Sequence, residues 1–598
     1  MQNVKTGADE RIEVLFRKAA PIDVPEARYP GFKPGTTVLP KGFIQKKGAL
    51  PLPCDILFER DVTVALRDGT ALYTDVFRPV GGANLPAIIA WSPYGKEGGL
   101  TLLDDFPFRA GVARNAVSEL QKWEGPDPAY WCQHGYAVVN PDARGAFSSN
   151  GDIHFWGTRE GRDGYDVVEW VAARAWSSGK VGLSGNSWLA ITQWFIAAEK
   201  PPHLTAIAPW EGWSDAYRED VSRGGVQDFG FCERVTSKMR GKNRVEDVPA
   251  MIRKYPVMDA YWEDKAARLE NIDVPAYVVS SWTNMVHTHG TFESFRRISS
   301  KNKWLRVHNT QEWSDYYTPE HVEDLRCFFD RYLKGIENGW EKTSRVRLSV
   351  LDPGGVDEID RPENEFPLER TEHKSLYLDG RSGTLSPNPV TEESLVRYAA
   401  DDGKGRAVFT IRFDEETELT GYMKLRLWVE ANGSNDIDLF VKVQKLGRRG
   451  NLLSSPVITP PNPLARSVVK LLWSFKVKKL ARLFFTGAPG WLRVSHRQLD
   501  PERSTPSEPY LTHRVEELLS PGQVVPVDIS IWPVSMRWHA GQQLRLIIAG
   551  YNLTPMPVAG IKPPALRNKG EHVLHMGGKF DSHLLVPVIS KGLPSGGG

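Results

Sequence analysis

Apolar and polar residues change their spacing several times along this chain, and each change marks a different kind of element. Over residues 58–77 they alternate around Asp68-Gly69, the pattern of a β-hairpin. From residue 86 onward short runs are apolar throughout, PAIIAW at 86–91 and GYAVVN at 135–140, as expected of strands buried on both faces. Helical spacing separates such runs at 108–123, at 163–176, and after a strand starting at Lys180, where a helix extends to Ala198. LTAIAPW (204–210), PAYVVS (275–280) and WLRV (304–307) continue the series, which closes on a helix at 322–333. Strands alternating with helices predict a mostly parallel, doubly wound α/β sheet with helices on both faces.

The alternation is interrupted between Trp213 and Asn271 by charged, helix-forming sequence just beyond a strand end. Ligands bind at such ends in open α/β sheets, so this insert reads as a cap over a site. After Lys334-Gly335 short alternating strands separated by turn residues predict an all-β sandwich. The expected units are an N-terminal extension at 1–50, an α/β core at 51–212 plus 272–345, a helical cap at 213–271, and a β-sandwich at 346–598. Within the last, residues 463–486 form a basic amphipathic stretch that reads as an inserted helix packed on its own protein. A membrane surface or a partner is the alternative for it.

A chain of 598 residues is too long for one core at about 150 residues per domain. Net charge is only +2 with no basic tail, so no nucleic-acid partner is expected, and a small-molecule substrate fits better. A homo-oligomer is left open. No segment has the apolar length of a signal peptide or a membrane span, which predicts a soluble, cytoplasmic protein. The four cysteines lack metal or disulfide spacing and read as isolated buried thiols. Twenty tryptophans suggest aromatic-lined surfaces or pockets.

The chemistry centres on KVGLSGNSWLAITQW at 180–194, where an apolar run breaks at small residues and a helical pattern begins at once. A serine nucleophile on a strand-to-helix turn needs small neighbours, and Gly185 and Ala190 provide them around Ser187. Leu189 replaces the second glycine of the usual G-x-S-x-G pattern. Ser184 is a rival three residues earlier, and a helix N-cap is the alternative role for Ser187 itself. In a doubly wound hydrolase the base follows the last core strand and the acid follows the strand before it. His308 and Asn284 occupy those places, the second an amide where a carboxylate is expected.

The chain resembles the serine hydrolases grouped with Xaa-Pro dipeptidyl-peptidases, cocaine esterase and α-amino acid ester hydrolases, over about residues 55–590. The resemblance rests on the SPYGK loop at 92–96, on Asp142, Arg144, Gly145, Ser149 and Gly151, on the DGYD and WSSGKVGLSGNSW runs, and on VSHRQLD and VPVDISIWPVSMRWHAGQQLRL in the C-terminal half. It implies an α/β-hydrolase with a helical cap and a C-terminal jelly roll. It makes Ser187 the nucleophile, the Trp188 backbone N–H one oxyanion donor and the Tyr94 phenol the other. Asp142 and Arg144 then read as a loop-fixing ion pair.

The chain departs from the family at Asn284, where members carry aspartate. Glu312 and Asp315 are the nearest carboxylates after His308 and are reserve acids, with His287 as reserve base. A metal at His287 and His289 is not expected, since no third ligand stands at suitable spacing. The expected activity is a cofactor-independent serine hydrolase that cleaves an ester or amide with an apolar or aromatic acyl part through an acyl-enzyme. The alternatives are a dipeptidyl-peptidase, with Glu219 and Asp220 or Glu211 and Asp215 holding the substrate amine, and a decayed hydrolase scaffold that binds or rearranges a natural product.

Overall fold

The structure, a computed structural model, describes residues 3–4, 12–97, 101–458, 484–554 and 560–590. Its first large sheet has eleven strands: Gly35–Leu39 (β1), Ile56–Ala65 (β2), Ala71–Pro79 (β3), Leu85–Ile89 (β4), Ala137–Pro141 (β5), Ser177–Asn186 (β6), Leu204–Trp210 (β7), Ala276–Ser281 (β8), Lys303–His308 (β9), Val346–Val350 (β10) and Glu358–Glu363 (β11). Their spatial order is β11-β10-β9-β8-β7-β6-β4-β5-β3-β2-β1. The strands from β4 to β10 pair in parallel, and antiparallel pairs flank them on both sides.

Apolar runs such as AVVNP and AYVVSS are buried at every position, because helices cover both faces of the parallel strands. The main covering helices are Gly157–Ala172 (α1), Trp188–Ala198 (α2), Thr288–Arg297 (α3) and Pro319–Leu333 (α4). α1 and α2 pack so closely that a Cβ on Gly164 would stand 2.3 Å from Ile196.

Chain direction across the sheet reverses between β4 and β6. One crossover leads outward from β4 to β5, and the next returns to the other side of β4 as β6. A crevice opens at such a point, flanked by the loops after β4 and β6. Register aligns the other strand ends beside it: Asn186 pairs with Trp210, and Ser281 with His308.

Two expectations change. Residues 108–123 form no α-helix but a series of 3₁₀ turns at Leu103–Asp105, Pro107–Gly111 and Arg114–Ala116, with left-handed backbone at Phe108, Arg109 and Ala110. Arg109 holds this segment by pairing with Asp104 and with Glu119 (2.6 Å). Residues 1–50 do more than overlie the surface. β1 extends the core sheet, and Phe16–Lys18 pairs with Arg244–Glu246 of the insert. Tryptophan serves mainly the interior, with nine fully buried among the described residues.

The insert between β7 and β8 contains the short helices Gly230–Lys238, Val248–Lys254 and Ala260–Asp264, and a five-residue π-helical turn at Tyr217–Val221. The C-terminal half forms a second, β-rich domain around another eleven-stranded sheet. Its sixteen-residue strand Thr417–Asn432 pairs with Val525–Trp538, Glu571–Met576 and His583–Ile589, so the sheet turns back on itself. Of the basic stretch at 463–486, residues 463–483 lie outside the described residues, while Phe484–Phe485 pairs with Ser455–Pro456. No helix among the described residues is long and apolar enough to cross a membrane.

Candidate active site

Ser187 stands between the last residue of β6 and the first of α2, with φ +54° and ψ −120°. A non-glycine residue is held there only where its surroundings impose it. The small neighbours have physical reasons. A Cβ on Gly185 would lie 2.5 Å from Leu189 Cβ, and one on Gly212 would lie 2.6 Å from Ala190 Cβ. Leu189 is tolerated in place of a glycine because its side chain folds over Gly185 and toward Gly125. Ser187 makes no side-chain cap bond to its helix. The rival Ser184 is buried and hydrogen-bonded to the Tyr316 hydroxyl at 2.8 Å.

The histidine that meets Ser187 is His287, not His308. Nε2 of His287 lies 3.2 Å from Ser187 Oγ. His287 immediately precedes α3, and its turn is fixed by Asn284, whose Oδ1 accepts from the backbone N–H of Val286 (2.8 Å) and of His287 (3.1 Å). The opposite ring nitrogen, Nδ1, is buried without a hydrogen-bond partner among the described residues. Burial, with the charge of Arg223 acting in the same direction, lowers the His287 pKa to about 3. His308 is the last residue of β9 and is buried. Its Nε2 meets Glu211 Oε1 at 2.6 Å across β8, and its Nδ1 faces Thr310 (3.3 Å) and Asp315 (3.6 Å).

Asn284 does follow β8 where an acid is expected, but its side chain meets His287 only through the backbone. Nδ2 donates to Glu211 Oε2 at 2.6 Å and to Glu312 Oε2 at 2.9 Å, so the amide is fully engaged. Glu211 bears on Ser187 too. It has φ +57°, and its carbonyl accepts the Ser187 N–H at 3.1 Å. Burial raises the carboxyl pKa values of Glu211, Glu312 and Glu124 well above the usual range. Asp315 is different. Burial opposes its ionisation, but the buried Arg306, bound through both guanidinium ends, together with His308 and His321, holds it well below that range.

Sequence reasoning offered Glu211 only as an amine-holding acid and missed Glu124, which accepts from Trp313 Nε1 at 2.8 Å. Their positions carried a signal, since Glu211 directly follows β7 and Glu124 lies next to Gly125 against the elbow. Of the other acids offered for a substrate amine, Glu219 is bound to His289 Nδ1 (2.9 Å) and Asp215 to Arg218 (2.9 Å). Asp220 is buried and has no hydrogen bond among the described residues.

Tyr94, on the loop after β4, is buried, with Ser187 near enough to its phenol to offset part of the effect of burial. Burial raises its pKa well above normal, so it holds its proton at neutral pH. The loop is anchored by buried Lys122, whose Nζ donates to the carbonyls of Ser92 (2.9 Å) and Pro141. Trp188 opens α2, and its N–H has no carbonyl one turn back to accept it. Its indole donates to Glu160 (3.0 Å), which also binds the Trp91 indole (2.8 Å). Asp142 and Arg144 are not a mutual pair: Arg144 is bidentate to Asp163 at 2.7 Å, while Asp142 lies in the field of Lys96 and Lys122.

Residues 68–312 match the X-Pro dipeptidyl-peptidase (S15) family, and residues 338–585 match the X-Pro dipeptidyl-peptidase C-terminal non-catalytic domain. The cocaine esterase of Rhodococcus sp. (strain MB1 Bresler) is 25% identical over 410 residues, 57% of this chain and 67% of that protein. Among solved structures, a CocE/NonD family hydrolase from Staphylococcus aureus is 33% identical with a TM-score of 0.81, covering 90% of this chain and 94% of that one. An aminopeptidase from a marine sediment Thaumarchaeota archaeon shares the fold at a TM-score of 0.64 and 15% identity, covering 89% of this chain and 97% of that one.

Proposed function

The chain belongs to the CocE/NonD family of hydrolases, and on that premise we propose that it is a serine hydrolase working through a Ser187–His287 pair. The observation that carries this reading is the 3.2 Å approach of His287 Nε2 to Ser187 Oγ at a strained strand-to-helix turn. His287 takes the serine proton as Oγ attacks the carbonyl carbon of an ester or amide. The tetrahedral oxyanion is received by the Trp188 N–H and the Tyr94 O–H. His287 then returns the proton to the leaving group, and water repeats the sequence on the acyl-enzyme.

Tyr94 suits its part because a buried phenol with a raised pKa donates without ionising. No carboxylate meets His287 Nδ1 among the described residues, so the imidazolium forms with less support than in a full triad. In a Ser-His-Asp protease, exchanging the orienting aspartate for asparagine lowers turnover about ten-thousand-fold. Slow turnover is therefore expected. The insert at 213–271 acts as a cap over the crevice, and the β-rich domain is a jelly roll in this reading. The acyl part is expected beside the aromatic cluster around the elbow, where Trp156 packs 4.6 Å from Trp188 and 4.4 Å from Trp213.

A fluorophosphonate probe tests the reading: rapid covalent labelling that Ser187→Ala abolishes is the expected result. Labelling that survives Ser187→Ala, or none in the wild type, would leave a scaffold without hydrolytic chemistry. Release of a dipeptide from an Xaa-Pro anilide, against hydrolysis of simple esters, separates the peptidase from the esterase.

A further inference from the structure

The helix that carries the base is tied at its start to both neighbouring units. His289 binds the Glu219 carboxylate of the insert, and its ring stacks 6.1 Å from Trp532 of the β-rich domain. Four residues after Glu219 comes Arg223, whose Nε donates to the Glu219 carbonyl at 2.7 Å. Its guanidinium lies over the indoles of Trp491 (5.5 Å) and Trp532 (5.3 Å). These two rings, Phe440 and Val226 make a small apolar cluster separate from the main core.

Arg223 is only 7% exposed, yet its two terminal nitrogens have no hydrogen bond or ion pair among the described residues. A guanidinium presents its donors as a planar fork that matches a carboxylate, and leaving that fork empty in a nearly buried site is unfavourable. Stacking between two indoles explains where the side chain lies but satisfies none of these N–H groups. Asp220 and Asp228 temper the charge without reaching ion-pair distance. Burial raises Asp220 to about 6 against the pull of Arg223. The guanidinium is also linked to the segment that presents His287, because the Glu219 whose carbonyl it binds holds His289, two residues further on, through its carboxylate.

We propose that Arg223 is a substrate-binding residue that receives a free carboxylate on the substrate while the reacting carbonyl lies on Ser187. The preferred substrates are then esters or amides with an apolar segment between the reacting carbonyl and a terminal carboxylate, the apolar segment lying against Trp491 and Trp532. This rests on the serine-hydrolase reading above and names its substrate class.

The test compares 4-nitrophenyl half-esters of glutaric and suberic acid with the neutral 4-nitrophenyl pentanoate. The wild type should favour at least one half-ester by about tenfold or more in kcat/KM. Arg223→Met should abolish that preference, chiefly through KM, and Arg223→Lys should reduce it several-fold. No preference in the wild type, or an unchanged ratio in a folded variant, overturns the proposal. Should Arg223→Met fail to fold, the Arg223→Lys ratio decides.

Calorimetric titration of Ser187→Ala with monomethyl glutarate and monomethyl suberate separates this proposal from the hydrolase reading. Saturable binding weakened several-fold in Ser187→Ala/Arg223→Lys supports the carboxylate site even if wild-type esterolysis is absent. Equal binding in both proteins, or none in either, overturns the site while leaving the hydrolase reading in place.

Discussion

Replacing Asn284 by aspartate distinguishes an orienting role toward the His287 ring from a structural role toward its backbone. Were Asn284 a degraded triad acid, the charge would stabilise the imidazolium and turnover would rise, by up to about ten-thousand-fold in the serine-protease precedent. The geometry opposes this, because Asn284 reaches His287 through its N–H while ring Nδ1 has no partner among the described residues. Aspartate keeps the two backbone N–H acceptances but loses both donors, setting a third carboxyl against Glu211 and Glu312 at 2.6 and 2.9 Å. Two lost bonds of this kind cost about 2–5 kcal/mol. Crowding against the other carboxyls raises the new side chain's folded-state pKa above its unfolded value near 3.9. A protonated side chain can again donate, so the loss is small below about pH 4 and grows as pH rises through the folded pKa. Asn284→Asp should therefore show no gain in ester hydrolysis at pH 8, and a stability deficit that widens between pH 5 and pH 8 in thermal unfolding. Faster turnover with wild-type stability at pH 8 would refute the reasoning.

The remaining predictions address the other groups in turn. His287→Ala should cut turnover about a thousandfold or more, whereas His308→Ala should act mainly on stability, at about 1–3 kcal/mol, by stranding buried Glu211; kinetics and unfolding on both variants check this. Tyr94→Phe removes one oxyanion donor and should lower kcat about a hundredfold with little change in KM. With His287 as the proposed base, its lowered pKa keeps it neutral well below pH 6.5, so kcat/KM should show no histidine limb near 6.5. A limb there would assign the base to an ordinarily titrating histidine. Asp315→Asn leaves Arg306 buried without its charge partner and should cost about 3–5 kcal/mol in denaturant unfolding.

How far the chain could be read follows from which physical signals are local. Strands such as AVVNP announce themselves because burial on both faces requires an unbroken apolar run, and Gly185 and Ala190 announce the elbow because the turn excludes larger side chains. The 3₁₀ turns around residues 103–116 were less legible. Their apolar spacing imitates a helix, while the backbone at Phe108, Arg109 and Ala110 is left-handed and Arg109 pairs with Asp104 and Glu119. Which histidine lies beside the serine is illegible for a related reason. Strand order makes His308 the expected base, but only tertiary packing turns its ring to Glu211 and leaves His287 beside the serine.

These reassignments share one cause, the hydrogen-bonding capacity of an amide. Asn284 accepts two backbone N–H groups and donates to two carboxyls at once, which no carboxylate can do. With Glu211 after β7 and Glu312 after β9 converging on that position, an aspartate would put three acids in one buried space, and burial already disfavours ionisation of the two present. Asparagine joins them instead and fixes the turn that presents His287 to Ser187. The amide at the acid position is thus accounted for by its own contacts, without invoking decay of a triad. His308 joins the same structure through Glu211, so the histidine at the expected base position supports the site's framework while the histidine beside Ser187 comes from the preceding loop.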